Sequence, residues 1–176
     1  EMSGATNTTL MDVMIPWLMK AKPSETDRHN TLKTVHMQPL PQYHHEGAKR
    51  FGFDFVTAGF GQTEAGVGFS CLIHEMDEGE GTPSEFYKGL SHQEILANAQ
   101  HLGVAIPRGD QKMKKGYMGS VPLYVEAAIL NENDEECKVG EPGEIAFRSL
   151  HPHLMLKEYF HKPEATVKVF ENLWFH

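Results

Sequence analysis

The residues with the most chemical content stand together in the stretch GFGQTEAG, Gly59 to Gly66. Glycines let a backbone turn tightly and approach a ligand with no Cβ in the way. Thr63 brings a hydroxyl that can donate to a phosphate oxygen. Glu64 brings a hard carboxylate suited to Mg2+, which would offset phosphate charge. Phe60 offers an aromatic face to a base or an acyl chain. On spacing alone a plainer reading has the greater weight: a strand ending in a glycine turn, with Glu64 in solvent. The stretch is not a dinucleotide-binding fingerprint, because Glu64 occupies the third glycine position. No GxxxxGK[ST] phosphate loop occurs in the chain.

Other clusters carry less. His151 and His153 would share a face of an extended segment, but no third ligand accompanies them and Pro152 argues for a loop. His44-His45 reads as a solvated helix turn. Asp77, Glu78 and Glu80 miss calcium-loop spacing and read as a flexible acidic loop. Lys112, Lys114 and Lys115 could meet the phosphates of a ligand, but a solvated loop is the reading with the greater weight. Cys71 and Cys137 are too few for a zinc cluster, form no CxxC pair, and read as thiols of a reducing compartment.

The elements that must hold these groups follow from pattern. Leu10, Met11, Val13, Met14, Trp17 and Leu18 recur at helical spacing and predict one buried helix face, kinked at Pro16. Leu32 to Met37 predicts a buried strand. Pro41 can open a helix running to about Arg50. Phe51 to Thr57 predicts a strand that runs into the glycine-rich stretch, and Phe69 to Ile73 a further one. Glu75 to Gly81 reads as a mobile acidic connector. Ser91 and Glu94 have capping-box spacing ahead of Ile95, Leu96, Ala99 and Leu102, with Gly103 as the stop. Arg108 to Gly116 reads as a basic, polar loop. Val121, Leu123, Val125, Ala127 and Ile129 alternate as a half-buried strand, paired antiparallel with Glu144 to Arg148. A last helix is expected from Pro163 to about Phe170.

This order predicts an α/β layer joined to a mostly antiparallel β part. The expected division is 1–74 as an α/β segment, 75–116 as a connector with one helix, and 117–176 as a β-rich segment. With 40% hydrophobic residues, 23% charged residues and a net charge of −8, the composition is that of a globular chain. That charge gives no steering towards nucleic acid or anionic lipid. No run of about 18 apolar residues exists, so no membrane span is expected. The opening EMSGATNTT lacks the basic start of a signal peptide. The cytoplasm is the expected setting.

GFGQTEAG resembles the YGxTE signature of the adenylate-forming superfamily, which includes acyl-CoA synthetases, peptide-synthetase adenylation domains and luciferases. Gly140 to His176, beginning GEPGEIAFRS and continuing through LKEYFHKPEAT, resembles the same family's GExGEI…KxYxxxPEAT…GWLHTGD segment. The stretch MIPWLMKAKPSETDRHNTLKTV is similar to the helix and linker before the family's adenine-side strand. It most resembles the crotonobetaine/carnitine-CoA ligase branch. Together these matches cover nearly the whole chain.

The resemblance implies the fold of part of an acyl-CoA synthetase N-terminal domain: the second α/β subdomain plus an antiparallel, barrel-like β segment. It implies ATP or AMP, Mg2+ and CoA as cofactors, and a carboxylate as substrate. Family members join a carboxylate to AMP, release pyrophosphate, and pass the acyl group to the CoA thiol. Carried over by position, Thr63 would contact the α-phosphate and Glu64 would hold Mg2+. Phe60 stands where the family has Tyr beside adenine. Gly59, Gly61 and Gln62 would complete the nucleotide turn, and Ala65 and Gly66 would line the mouth of the acyl pocket.

The departures are specific. His36-Met37-Gln38-Pro39 replaces the family's glycine-rich adenine-side turn, and Ser149 stands where glycine is common. The sequence stops in the aromatic run Leu173-Trp174-Phe175-His176, ahead of the expected TGD, and reads as cut there. The chain is therefore expected to be an internal fragment, inactive alone, whose partners are the rest of its N-terminal domain and a C-terminal domain. A non-catalytic nucleotide-binding module and a ligase with a carrier-protein acceptor are the alternatives.

Overall fold

The computed structural model describes residues 3–176, apart from the side chain of Val67. Glu1 and Met2, which open the stretch read against a signal peptide, lie outside the described residues. The chain divides into two compact units, residues 1–59 with 70–120, and residues 60–69 with 121–176.

The first unit is built on a four-stranded sheet in the order β1 (Asn7–Met11), β2 (Thr34–Gln38), β3 (Phe55–Gln62) and β4 (Gly66–His74), of which β3 and β4 continue into the second unit. β2 runs parallel to both β1 and β3, with Leu10 opposite Met37 and Val35 opposite Val56. Parallel pairing requires crossovers. The helices α1 (Met14–Lys20) and α2 (His44–Phe51) lie in those connections. Val35, Met37, Val56, Ala58, Cys71 and Ile73 meet Ile15 and Ala48 in the main core. The helix α3 (His92–His101) brings Ala99, Ile95 and Leu96 against Phe55 and Leu72. The segment after it lies along β4, with Leu72 N–H donating to Ala105 and His74 N–H to Pro107.

Much of this was legible locally. Ser91 and Glu94 form a complete capping box, and Gly103 takes the left-handed conformation just past the helix end. The first predicted element was not. Leu10 and Met11 lie in a strand, and only Ile15 of α1 is buried, while Trp17 stays 67% exposed. Thr8, Thr9 and Leu10 suit a pleated strand once β2 lies alongside, and that partner outweighs the helical spacing. Pro16 breaks nothing, because it falls in the first helical turn, whose N–H groups have no partner in any helix.

Two polar readings also change. Glu75 opens the predicted mobile connector, yet it is buried. It accepts from Nδ1 of His44 at 2.5 Å and from Nδ1 of His45 at 2.7 Å. Its own N–H donates to Asp54. The two histidines are therefore no solvated helix turn, and the connector is pinned at its start. It is held again where Arg108 binds Asp77 at 2.6 Å.

The second unit holds a two-stranded antiparallel sheet, β5 (Val125–Leu130) and β6 (Glu144–Ser149), with Ala127 opposite Phe147 and Ala128 opposite Ala146. It forms no closed barrel among the described residues. The predicted strand start at Val121 gives way to a turn in which Val125 N–H donates to Pro122. Leu123 and Ile129, expected on the buried face, are exposed. The alternation serves two clusters instead: Val125, Ala127, Ile145 and Phe147 meet one, and Ala128, Leu130 and Ala146 meet Trp174 in the other. Phe175 bridges to Phe147 with paired backbone bonds. The helix α4 (Pro163–Val169) starts at the predicted proline. Among the described residues no helix is long and apolar enough to cross a membrane.

Candidate functional site

The glycine-rich stretch forms the end of a hairpin. β3 extends through Gly59, Phe60 and Gly61 to Gln62, a three-residue turn follows over Thr63, Glu64 and Ala65, and β4 leaves from Gly66. The turn is closed by Gly66, whose φ of +69° suits glycine. Gly59 and Gly61 belong to the extended strand, so their place is in β3 and not in the bend. Gly59 N–H reaches the side-chain Oε1 of Gln38 at 3.5 Å.

Each remaining side chain has a definite environment in the second unit. Phe60 stacks on Phe147 at 6.1 Å between ring centroids and lies 6.5 Å from Phe69. Gly68 makes that packing possible, since a Cβ there would stand 2.5 Å from the Phe147 ring. Ala65 is enclosed in the same aromatic cluster. Thr63 is exposed at the tip of the turn, and Glu64 is half-buried.

Glu64 is the best-held of these groups. Its backbone carbonyl accepts from Leu156 N–H at 2.5 Å, and its carboxylate Oε1 accepts from the Tyr159 hydroxyl at 3.2 Å. Desolvation, followed by the bond to Glu64 and its negative charge, holds the Tyr159 phenol above its usual range, so it stays a donor at neutral pH. Tyr159 is itself fixed from α4: its N–H donates to Thr166 Oγ1 at 2.9 Å, and that hydroxyl donates to Lys162 C=O at 3.0 Å. Sequence reasoning singled out LKEYFHKPEAT as a segment but gave Tyr159 no role. The available signal was a tyrosine at a set distance before PEAT.

One carboxylate with a second oxygen to spare suits Mg2+, which takes one or two protein carboxylates and completes its shell with phosphate oxygens and water. Among the described residues no group of three His, Cys, Asp or Glu stands ready to hold a metal alone. The donor set thus fits a metal that arrives with a phosphate ligand.

The first unit contains a polar row of its own. Thr9, His36 and Thr57 are register partners across β1, β2 and β3, with His36 Nδ1 3.1 Å from Thr57 Oγ1, and line a shallow concavity with Asn7 and Thr34. Burial lowers the pKa of His36, so the ring is neutral at neutral pH. Elsewhere in this unit His74 and His92 face one another through their Nε2 atoms at 2.9 Å. Arg108 donates to His74 Nδ1 at 3.0 Å, which makes that atom an acceptor and leaves Nε2 as the donor to His92. Desolvation lowers both imidazoles, consistent with a neutral pair.

No family model matches the chain. The crotonobetaine/carnitine–CoA ligase of Salmonella arizonae is 27% identical over 175 residues, which is 98% of this chain and 27% of that protein. The enzyme of the same name from Escherichia coli K12 gives the same identity and shares. The O-succinylbenzoate coenzyme A synthetase of Bacillus subtilis, solved in complex with AMP, superposes with a TM-score of 0.57 at 19% identity, covering 98% of this chain and 27% of that one. Sequence and fold agree.

The chain is similar in sequence to crotonobetaine/carnitine–CoA ligases and in fold to acyl-CoA synthetases. Its fold is that found in the N-terminal domain of FACL13 from Mycobacterium tuberculosis, at a TM-score of 0.58, 18% identity, and 99% and 35% coverage of the two chains. It spans about a quarter of the length of the curated acyl-CoA ligases it matches. The glycine-rich turn and the PEAT helix lie in one unit, and the segment before that helix is joined to the turn by the Glu64–Tyr159 bond.

Proposed function

We propose that the chain supplies part of the nucleotide-binding half of an AMP-forming acid–thiol ligase. In the first step a carboxylate oxygen attacks the α-phosphorus of ATP, an acyl-adenylate forms and pyrophosphate leaves. In the second step the CoA thiol attacks the acyl carbonyl, the thioester forms and AMP leaves. Neither step needs a nucleophile from the protein, so the chain's task is positioning and charge stabilisation. The observation that carries this reading is the Glu64 carboxylate, held by the Tyr159 hydroxyl at 3.2 Å in the turn that also carries the exposed Thr63.

In this reading Thr63 donates to the α-phosphate, and Glu64 is the protein's ligand to Mg2+. Mg2+ would supply charge neutralisation on the phosphates. Phe60, packed on Phe147, lies beside adenine with its half-exposed ring. Gly59, Gly61 and Gln62 give the strand that flanks the nucleotide, while Ala65 and Gly66 shape the turn at the mouth of the acyl pocket. The carboxylate is of the small, polar class that the names of the crotonobetaine/carnitine–CoA ligases describe. The cytoplasm is the setting we propose for this reaction. The support lies in the likeness to those ligases and to solved relatives that bind AMP, or ATP with magnesium.

The test is ATP–pyrophosphate exchange by the full-length protein against a panel of carboxylates that includes carnitine-like acids. Exchange dependent on one acid is expected, together with a loss of at least tenfold in Glu64→Ala, in line with one lost charge-stabilising contact. Folded protein that binds ATP but exchanges with no acid would overturn the ligase reading in favour of a non-catalytic nucleotide module. The 176 residues alone are expected to show no exchange.

A further inference from the structure

We infer that Tyr159 is a positioning residue for the Glu64 carboxylate, so that the PEAT helix sets the metal affinity of the glycine-rich turn. The inference rests on the proposed metal role of Glu64 and adds a residue and a mechanical path to it.

The path is continuous and lies within one unit. Thr166, on α4, accepts the Tyr159 N–H at 2.9 Å and donates to Lys162 C=O, which fixes where the tyrosine leaves the backbone. The Tyr159 hydroxyl then reaches Glu64 Oε1 at 3.2 Å, across 95 positions of sequence. Leu156 N–H holds the Glu64 carbonyl at 2.5 Å. Gly66 keeps the same segment close, with Leu154 C=O 3.4 Å from where its Cβ would stand. A half-buried carboxylate with one oxygen engaged by a phenol keeps one rotamer and presents the other oxygen outward. A carboxylate without that bond must lose rotamer freedom when it takes a cation, and binds it less tightly. Tyr159 touches neither nucleotide nor acid in this account; it acts through Glu64.

The experiment measures Mn2+ binding in the presence of ATP by electron paramagnetic resonance, beside the Mg2+ dependence of pyrophosphate exchange, in the full-length protein. Tyr159→Phe keeps the ring and removes the hydroxyl. It is expected to weaken Mn2+ binding and raise the Mg2+ half-saturation by roughly fivefold, the scale of one ordinary hydrogen bond in its net effect. The exchange rate at saturating Mg2+ should stay within about twofold, since only the carboxylate's order is lost. Thr166→Val should move the same quantities in the same direction by less. It also stands in as the deciding variant if Tyr159→Phe fails to fold. In a Glu64→Gln background Tyr159→Phe should add nothing, because the two residues act as one unit.

Unchanged Mn2+ affinity in Tyr159→Phe while Glu64→Gln loses it would overturn the positioning role and leave the metal role standing. So would a uniform fall in exchange rate at every Mg2+ concentration. Unchanged Mn2+ affinity in Glu64→Gln would remove the metal role and this inference with it.

Discussion

Glu75 and His44 stand 31 positions apart and share a 2.5 Å bond between Oε1 and Nδ1, with the carboxylate fully enclosed. His45 takes the other carboxylate oxygen. Gly109 is part of the same arrangement, since a Cβ there would stand 1.9 Å from Oε2. One acid from the end of β4 thus ties down the start of α2. Removing it strands two half-buried or buried imidazoles. We predict that Glu75→Ala destabilises the protein by on the order of 3 kcal/mol, as expected for breaking a buried polar cluster from one side. Equilibrium urea unfolding gives the number, and a loss below about 0.5 kcal/mol, the usual limit for a neutral surface change, would show that the cluster contributes nothing.

Asp54 predicts a dependence on pH. It is buried, accepts from Thr82 N–H at 3.1 Å, and has no partner for Oδ2. Desolvation pushes its pKa up to about 6, against the bonds from Thr82 and the charge of Lys33. The folded state therefore holds a proton that the unfolded chain has already released. Below the unfolded value both states are protonated and there is no penalty. As pH rises through about 6 the folded state must ionise a buried acid, and stability falls. Asp54→Asn should match the parent near pH 4 and exceed it at pH 7.5. The difference is bounded by about 3 kcal/mol, the free energy of a shift of this size. The bound will not be reached, because the new Nδ2 inherits the unpartnered place. Melting temperatures at both pH values decide it; equal gains at the two would rule out ionisation as the cause.

Gly68→Ala should loosen the hairpin that carries Thr63 and Glu64. The added methyl would meet the Phe147 ring at 2.5 Å, and that ring also stacks on Phe60. Overpacking of this kind costs about 1–3 kcal/mol. The same variant should raise the KM for ATP in the full-length protein, since Phe60 cannot keep its place. An unaltered melting temperature would mean that Phe147 swings aside freely.

Ser91→Ala removes one half of the α3 capping box, in which Glu94 N–H donates to Ser91 Oγ at 3.2 Å. A loss of about 1 kcal/mol is expected. Ser91→Asp should retain most of the stability, because its carboxylate can accept the same bond at the positive end of the helix. Denaturation midpoints that do not separate the two variants would argue against the cap.

The sequence by itself determined what depends on neighbours along the chain. Ser91 and Glu94 start α3, Pro163 starts α4, and Gly103 ends a helix, because caps and fixed φ angles act over three or four residues. The pairing of β5 with β6 was equally legible, since the turn between them joins strands adjacent in sequence. The GFGQTEAG and PEAT stretches, with the family they resemble, could also be read from residue types alone. Tertiary structure decided whatever needs a distant partner. Leu10 became strand because β2 lies alongside it, and Glu75 became buried because His44 and His45 turn towards it. Ile145 and Ala146 went to different clusters because both faces of the β5–β6 ribbon are covered. The bond from Tyr159 to Glu64 belongs to the same class. Each motif holds one partner, and neither carries a local mark of the other, so only the folded chain brings the hydroxyl to the carboxylate.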